Sequence, residues 1–175
     1  LQRLESLYED KGDNAKWLAI NMEWTRAEPT EDYPWQQAAK ANRALGKNQD
    51  ALTAVNKALT LKPGTTVGLN LKGKVLLKLG RHADAISAYR QSVKVFADLP
   101  ETHAGLAEAL RAGGQKAEAD AEMKTAIAIA TANVRDAIKD KHWVTASIFL
   151  TQVIAWDKVA GAKLQAEFDK AVAEP

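Results

Sequence analysis

Cysteine is absent from the 175 residues of the chain, which excludes disulfides, thiolate metal sites and cysteine nucleophiles. No apolar stretch approaches the ~20 residues that a membrane-spanning helix requires, and no basic start followed by an apolar core indicates a signal peptide. Proline and glycine are few, at 5 and 10 residues, and Thr, Val and Ile never form a long strand-like run. Together with the abundance of alanine, this composition favours helices over strands.

A large excess of one charge sign is also missing, since the formal net charge is only +2. The charge is nevertheless unevenly distributed along the chain. Residues 1–31 carry 4 basic and 7 acidic side chains, a net charge of −3, whereas residues 32–99 carry 11 and 4, a net charge of +7. The middle of the chain is therefore basic and its start is mildly acidic, and a basic surface attracts anionic groups.

A spacing of 34 residues organises most of the chain. It separates four glycines: Gly12, Gly46, Gly80 and Gly114. It also separates residues at fixed offsets from those glycines: Ala51, Ala85 and Ala119, then Pro29 and Pro63. Several residue types repeating in the same phase indicate a repeat array, in which neighbouring units stack to bury a continuous core.

The residues around these positions also repeat. In the second unit they are Trp35, Ala38, Ala39 and Asn42, followed by Ala51, Val55, Ala58 and Pro63. In the third unit they are Leu69, Lys72, Gly73 and Leu76, followed by Ala85, Tyr89 and Val93. This pattern resembles the tetratricopeptide repeat (TPR), which reads Trp-x2-Leu-Gly-x2-Tyr in a first helix and Ala-x3-Phe with a closing Pro in a second.

The resemblance implies an all-α fold, a TPR-type α-solenoid of antiparallel helix pairs with an irregular C-terminal helical cap. We place the TPR array at residues 1–131, with repeats at about 1–31, 32–65, 66–99 and 100–131. Residues 132–175 are expected to form a degenerate TPR-like unit and a capping helix. In the divergent first unit, Trp17 and Trp24 are expected either to fill space beside small residues of the second unit or to contact a preceding repeat.

After residue 131 the phase breaks, because the next glycine would fall at Ile148. The alanine-x3-large pattern returns about seven residues early, at Trp143, Ala146, Leu150 and Val153. Residues 117–139 contain no Pro or Gly. We expect these residues to form one long helix that two units share, or else two separate helices, the second of which is capped by Asn133. Asp157 is predicted to cap a last helix through about Ala173.

No catalytic constellation is present in the sequence. His82, His103 and His142 are scattered, without the spacing of a metal-binding helix or a nucleophile motif. His103 falls at a position that Trp35 and Leu69 hold in other units, so we expect it to pack. Carboxylates occur without metal-ligand spacing. We therefore predict a protein that is not an enzyme, with no catalytic residue, no metal site and no cofactor.

The remaining candidate site is a surface on the first helices of the units. In the family that the chain resembles, these helices line a concave groove that receives a partner segment. Carried over to this chain, the residues of that face are Tyr33, Gln36, Lys40, Arg43, Lys47, Asn70, Lys74, Leu77, Lys78 and Arg111. Because residues 34 apart lie side by side in adjacent repeats, Lys40 is expected beside Lys74. Like charges on neighbouring helices build a potential that attracts an anion.

We therefore predict a non-enzymatic scaffold whose basic groove binds an acidic protein or peptide segment, or alternatively an anionic polymer. Nucleic acid is not predicted, because the basic stretch lacks interleaved aromatics and any nucleic-acid motif, and neither is membrane insertion. The resemblance to alanine-rich bacterial TPR proteins favours envelope biogenesis (cytochrome maturation, pilus assembly or exopolysaccharide export), in the periplasm or at a membrane. The alternative is a structural spacer within a longer TPR superhelix. The chain opens within a first helix, so we expect it to be part of a longer protein.

Overall fold

The computed structural model describes residues 1–173, and within that range the chain folds into ten α-helices with no strands. In chain order they are α1 (Gln2–Asp10), α2 (Asn14–Ala27), α3 (Asp32–Ala44), α4 (Asn48–Leu61), α5 (Thr66–Lys78), α6 (His82–Val95), α7 (Pro100–Ala112), α8 (Lys116–Lys139), α9 (Trp143–Trp156) and α10 (Lys158–Ala173). Consecutive helices pack against each other throughout. The fold is therefore the all-α solenoid that the repeat pattern predicts; the last two residues of the predicted 132–175 unit lie outside the described range.

The repeated glycines form the turns between paired helices. Gly12, Gly46, Gly80 and Gly114 all have positive φ angles, of 66°, 75°, 71° and 81°. At the end of α3, the Gly46 N–H donates to the Arg43 carbonyl (3.1 Å) and the Lys47 N–H donates to the Asn42 carbonyl (2.9 Å). This pair of bonds satisfies carbonyls at the helix end, and it requires a left-handed residue that glycine supplies without steric cost. The glycines spaced by 34 residues therefore mark the turn inside each helix pair.

The segment that the sequence left open is a single helix. α8 runs without interruption for 24 residues, so the alternative in which Asn133 caps a separate helix is wrong. Its N-terminal part joins the main core through Ala119, while Ala130 and Val134 join a second core with α9 and α10. α8 therefore belongs to two successive packing units. The predicted cap of α10 is also present, because Asp157 Oδ1 accepts from two backbone N–H groups at 2.9 and 3.0 Å.

A lysine takes the place of glycine in the turn after α8. Lys141 has a φ of 57°, the only positive φ at a non-glycine position in the described range. Its N–H donates to the Ile138 carbonyl (3.0 Å), and the His142 N–H donates to the Ala137 carbonyl (2.8 Å). The hydrogen bonds match those at Gly46, but the turn comes seven residues before position 148, where the repeat period would place it. A side chain in this conformation costs roughly 1–2 kcal/mol.

Replacing Lys141 with glycine is expected to raise the free energy of unfolding by about 0.5–1 kcal/mol. The glycine removes the left-handed strain, although its greater freedom in the unfolded chain offsets part of the gain. Equilibrium denaturation in urea measures the change. Lys139→Gly, at the end of α8, is the control and should destabilise, because that residue is helical. Destabilisation by both glycines would contradict a strained turn at Lys141.

Buried alanines allow the helices of the central units to approach closely. Ala38, Ala51, Ala85 and Ala119 are each 0% exposed and contribute to one continuous core over α3–α8. A second core joins α8, α9 and α10.

In the first unit, Trp17 is buried and its Nε1–H donates to Glu5 Oε1 at 2.7 Å, while Trp24 packs edge-on against Tyr33. Both tryptophans thus contact residues of this chain.

The contacts between helices define the curvature of the solenoid. α5 contacts α3 and α7 directly, whereas within the described range the second helices α4 and α6 make no such contact with each other. The first helices are therefore closer together than the second helices, so the array curves with α3, α5 and α7 on its concave side. This side carries basic side chains of both α3 and α5.

Candidate binding groove

Two adjoining cavities open on the concave side of α3, α5 and α7, and we call them together the groove. The first has a volume of about 320 Å³, and its lining includes Lys40, Arg43, Val67, Asn70, Lys74, Leu99 and Glu101. The second, of about 450 Å³, is lined by Arg43, Lys74, Leu77, Lys78, His82, Glu108 and Ala112. Arg43 and Lys74 line both cavities, so the two lie side by side.

Six of the ten residues expected on the concave face line the groove together. They are Lys40, Arg43, Asn70, Lys74, Leu77 and Lys78. The expected neighbours across adjacent repeats, Lys40 and Lys74, share the first cavity. The 34-residue register thus brings together basic side chains from α3 and α5 that are separated in sequence.

The other four expected residues lie elsewhere. Gln36 is only 8% exposed and its amide donates to Asp32, while Lys47 lines a separate crevice beside Trp35. Arg111 is exposed and pairs with Asp120 of α8 at 3.2 Å.

Tyr33 lies near the start of the array. It is 40% exposed and its hydroxyl lies 3.5 Å from Glu5 Oε2. Partial burial, followed by the nearby carboxylates of Glu5 and Glu9, raises the pKa of Tyr33, although a hydrogen bond with Gln37 opposes the shift. Tyr33 is thus engaged mainly with residues of the first unit.

The cationic side of the groove is uncompensated within the structure. Among residues 1–173, none of Lys40, Arg43, Lys74 and Lys78 forms an ion pair within 4.0 Å. Surface Lys and Arg in other parts of the chain do pair, as Arg90 does with Glu118. Four unpaired cations facing one concavity produce a positive potential that the low-dielectric walls concentrate.

The opposite wall of the groove carries two carboxylates that the sequence analysis did not include. Glu101 and Glu108 both extend from α7, one into each cavity. Glu101 Oε1 accepts a hydrogen bond from Gln152 Nε2 of α9 at 2.6 Å. The groove is thus positive along α3 and α5 and negative along α7. The position of Glu108 can be predicted from the sequence, because Glu108 lies 34 residues after Lys74 and therefore beside it in the next repeat.

Tyr89 of α6 is buried between α5 and α7, two of the helices that line the groove. Its ring is 1% exposed and passes between two helical glycines, Gly73 of α5 and Gly105 of α7. A Cβ atom at either glycine would lie only 2.5–2.6 Å from ring carbons, so only glycine admits the ring. Burial raises the pKa of Tyr89, and the carboxylate of Glu108 adds to this while Arg43 opposes it. The hydroxyl therefore lies within electrostatic reach of both groove walls.

Three buried polar atoms on residues of this region have no hydrogen-bond partner in the described part of the chain. They are Arg43 Nε, Asn70 Oδ1 and Tyr89 Oη. The other end of the Asn70 amide is fixed, because Nδ2 donates to Thr102 Oγ1 at 2.7 Å. A buried donor or acceptor without a partner costs roughly 1–3 kcal/mol. The unpartnered atoms of Arg43, Asn70 and Tyr89 therefore cost the folded protein some stability in this region.

His103 is buried, as expected, but it makes polar contacts outside the groove. Its Nδ1 lies 2.6 Å from Glu122 Oε2 and its Nε2 lies 2.8 Å from the carbonyl oxygen of Ala97. These bonds tie α7 to α8 and to the loop before α7.

Over residues 1–173, no three His, Asp or Glu side chains are grouped to hold a metal ion, and no helix is long and apolar enough to span a membrane.

Comparison with known proteins supports the repeat assignment. Residues 68–98 match the tetratricopeptide repeat family. A curated relative, the cytochrome c-type biogenesis protein CycH of Bradyrhizobium diazoefficiens, is 32% identical over 104 residues. That match covers 57% of this chain and 28% of the relative, so the chain corresponds to about a quarter of CycH's length.

Solved structures share the fold over most of the chain. MamA from Desulfovibrio magneticus RS-1 (residues 41 to the end) superposes with a TM-score of 0.68 at 22% identity, covering 90% of this chain and 93% of MamA. TTC0263, a thermophilic TPR protein of Thermus thermophilus, superposes with a TM-score of 0.66 at 16% identity, covering 97% of this chain and 96% of TTC0263. The repeat match over residues 68–98, the glycine turns and this shared fold together show that the chain has the fold of a tetratricopeptide-repeat solenoid.

Proposed function

We propose that the chain is a non-enzymatic interaction module that binds a segment of a partner protein in the groove, with acidic side chains of that segment against α3 and α5. The observation that carries the proposal is the set of four unpaired cations around two adjoining cavities. A carboxylate bound there would gain charge-assisted hydrogen bonds without displacing an existing ion pair. TPR scaffolds are typically not enzymes, which agrees with the absence of a catalytic motif in the sequence.

The relationship to CycH supports a place for this module in bacterial envelope biogenesis, and in cytochrome c biogenesis in particular. On this reading the partner is a polypeptide handled by, or belonging to, that machinery. The groove is suited to such a role because its two cavities, of about 320 and 450 Å³, together accommodate several residues of a peptide.

Reversing the charge of Lys40, Lys74 and Lys78 to glutamate is expected to weaken binding of a fluorescent Glu-Ser decapeptide by about 10-fold or more at low salt. The wild-type affinity should fall as salt rises, because exposed charges separated by more than ~10 Å are screened at 0.1 M. Fluorescence anisotropy at several salt concentrations measures both effects.

The matched control reverses three exposed lysines outside the groove, Lys57, Lys62 and Lys94. It changes the net charge equally, so it separates the groove from overall electrostatics, and it should reduce affinity far less. Equal weakening by both triple variants would show that the groove is not the binding site. No binding by the wild-type protein at low salt would favour the spacer alternative.

A further inference from the structure

We propose that the second cavity of the groove recognises a change of charge sign: a polypeptide segment in which a basic residue adjoins an acidic one. The acidic side chain would lie against Arg43 and Lys74, and the basic side chain against Glu108. This inference rests on the proposed binding face. It goes beyond it because it assigns a role to α7, and because it distinguishes a mixed-charge segment from a uniformly acidic one.

The charges facing the cavity come from three helices. Arg43 of α3 and Lys74 and Lys78 of α5 provide the cations, and Glu108 of α7 provides the anion. None of the four is in an ion pair within the described residues. Glu108 is exposed and its neighbours in the cavity include no other carboxylate. Opposite charges thus face one concave space without neutralising each other through direct contact.

Tyr89 holds the helices that form these two walls at a fixed distance from each other. Tyr89 is held between Gly73 and Gly105, so its hydroxyl cannot move away without displacing a helix. Because the ring lies between α5 and α7, it fixes the spacing of the two helices that carry Lys74 and Glu108, and so of the positive and negative walls of the cavity.

A polyanion would pair with the cations of this cavity but not with its carboxylate, Glu108. Phosphate, sulfate or polyuronate groups accept hydrogen bonds from Arg43 and from lysines, but they repel Glu108. A polypeptide supplies carboxylates, ammonium or guanidinium groups, and backbone N–H donors within a few residues. The cavity volume of about 450 Å³ suits two or three residues, so the acidic and basic side chains would be close neighbours in sequence.

The test uses two nonapeptides with a Gly-Ser background, one with Glu-Glu-Glu at its centre and one with Lys-Glu-Lys. Lysine on both sides of the glutamate makes the second peptide independent of chain direction. Binding to the full chain and to its Glu108→Gln variant is followed by NMR titration at 150 mM salt. We expect Glu108→Gln to weaken the mixed peptide about 3- to 10-fold and to tighten the acidic peptide by a similar factor, an opposite response that a structural role would not produce.

The control is Glu23→Gln, which removes the same charge from an exposed position on α2. It should leave the ratio of the two affinities unchanged. A Glu108→Gln variant that tightens both peptides, or affects neither, would overturn the mixed-charge inference while leaving the basic groove in place. If the Lys40, Lys74 and Lys78 reversals also leave both peptides unaffected, the proposed function itself fails, so the two outcomes are distinguishable.

Discussion

Gly105→Ala is expected to lower the free energy of unfolding by about 3 kcal/mol, at the upper end of the usual cost of overpacking a core. The added Cβ would lie 2.5 Å from Tyr89 Cε1 and 2.6 Å from Cζ. The ring cannot move away, because Gly73 already lies against its other side. The gain in helix propensity from Gly to Ala, up to ~1 kcal/mol, offsets only part of this cost.

Thermal and urea denaturation measure this effect, and two further variants locate its cause. Gly113→Ala, at the C-terminal end of the same helix, places a Cβ no closer than 3.4 Å to any atom and should change stability little. In a Tyr89→Leu background the smaller side chain leaves room, so Gly105→Ala should become nearly neutral. The same loss in both backgrounds would show that Tyr89 is not the obstacle, since contacting residues are expected to be non-additive.

The local architecture could be predicted from the sequence because it depends on backbone conformation. A turn with positive φ selects glycine, and glycines at a fixed interval therefore mark the turns before any contact is known. The alanine that follows each turn marks a close helix contact in the same way. The turn at Lys141 shows the limit of this reasoning. There the surrounding hydrogen bonds impose the left-handed conformation on a lysine, so the residue type does not indicate a turn.

The residues that line the groove could be predicted only in part, because the lining depends on side-chain orientation as well as on the repeat length. The repeat length alone is enough to place Lys40 beside Lys74, and the two do share a cavity. It cannot show that Gln36 is nearly buried or that Lys47 faces another crevice, because both depend on the orientation of a side chain. For Tyr89 the sequence pattern indicates packing alone. Its ring can lie between α5 and α7 only because the positions facing it on both helices are glycines, which is a property of several helices together.

Gly161→Ala is expected to detach α10 selectively from the rest of the solenoid. The added Cβ would lie 2.5 Å from Ile154 Cγ1, 2.6 Å from Ile154 Cα and 3.0 Å from its backbone nitrogen. Because two of these atoms belong to the backbone of α9, the helices must separate to admit it. α10 packs mainly against α9, and units of a solenoid contact only their neighbours. The core over α3–α8 should therefore keep its stability.

Hydrogen exchange of the α10 amides is expected to accelerate at least ~100-fold, equivalent to about 3 kcal/mol of lost local stability, while amides of α5 and α6 exchange as before. Ala162→Ser, at the adjacent exposed position, is the control and should leave α10 protected. Truncating the side chain that faces each glycine distinguishes the contact at Gly161 from the contact between Gly105 and Tyr89. Ile154→Ala should not rescue Gly161→Ala, because the obstructing backbone atoms remain, whereas Tyr89→Leu should rescue Gly105→Ala. Rescue by Ile154→Ala would show that α9 and α10 pack less closely at this point than the geometry requires.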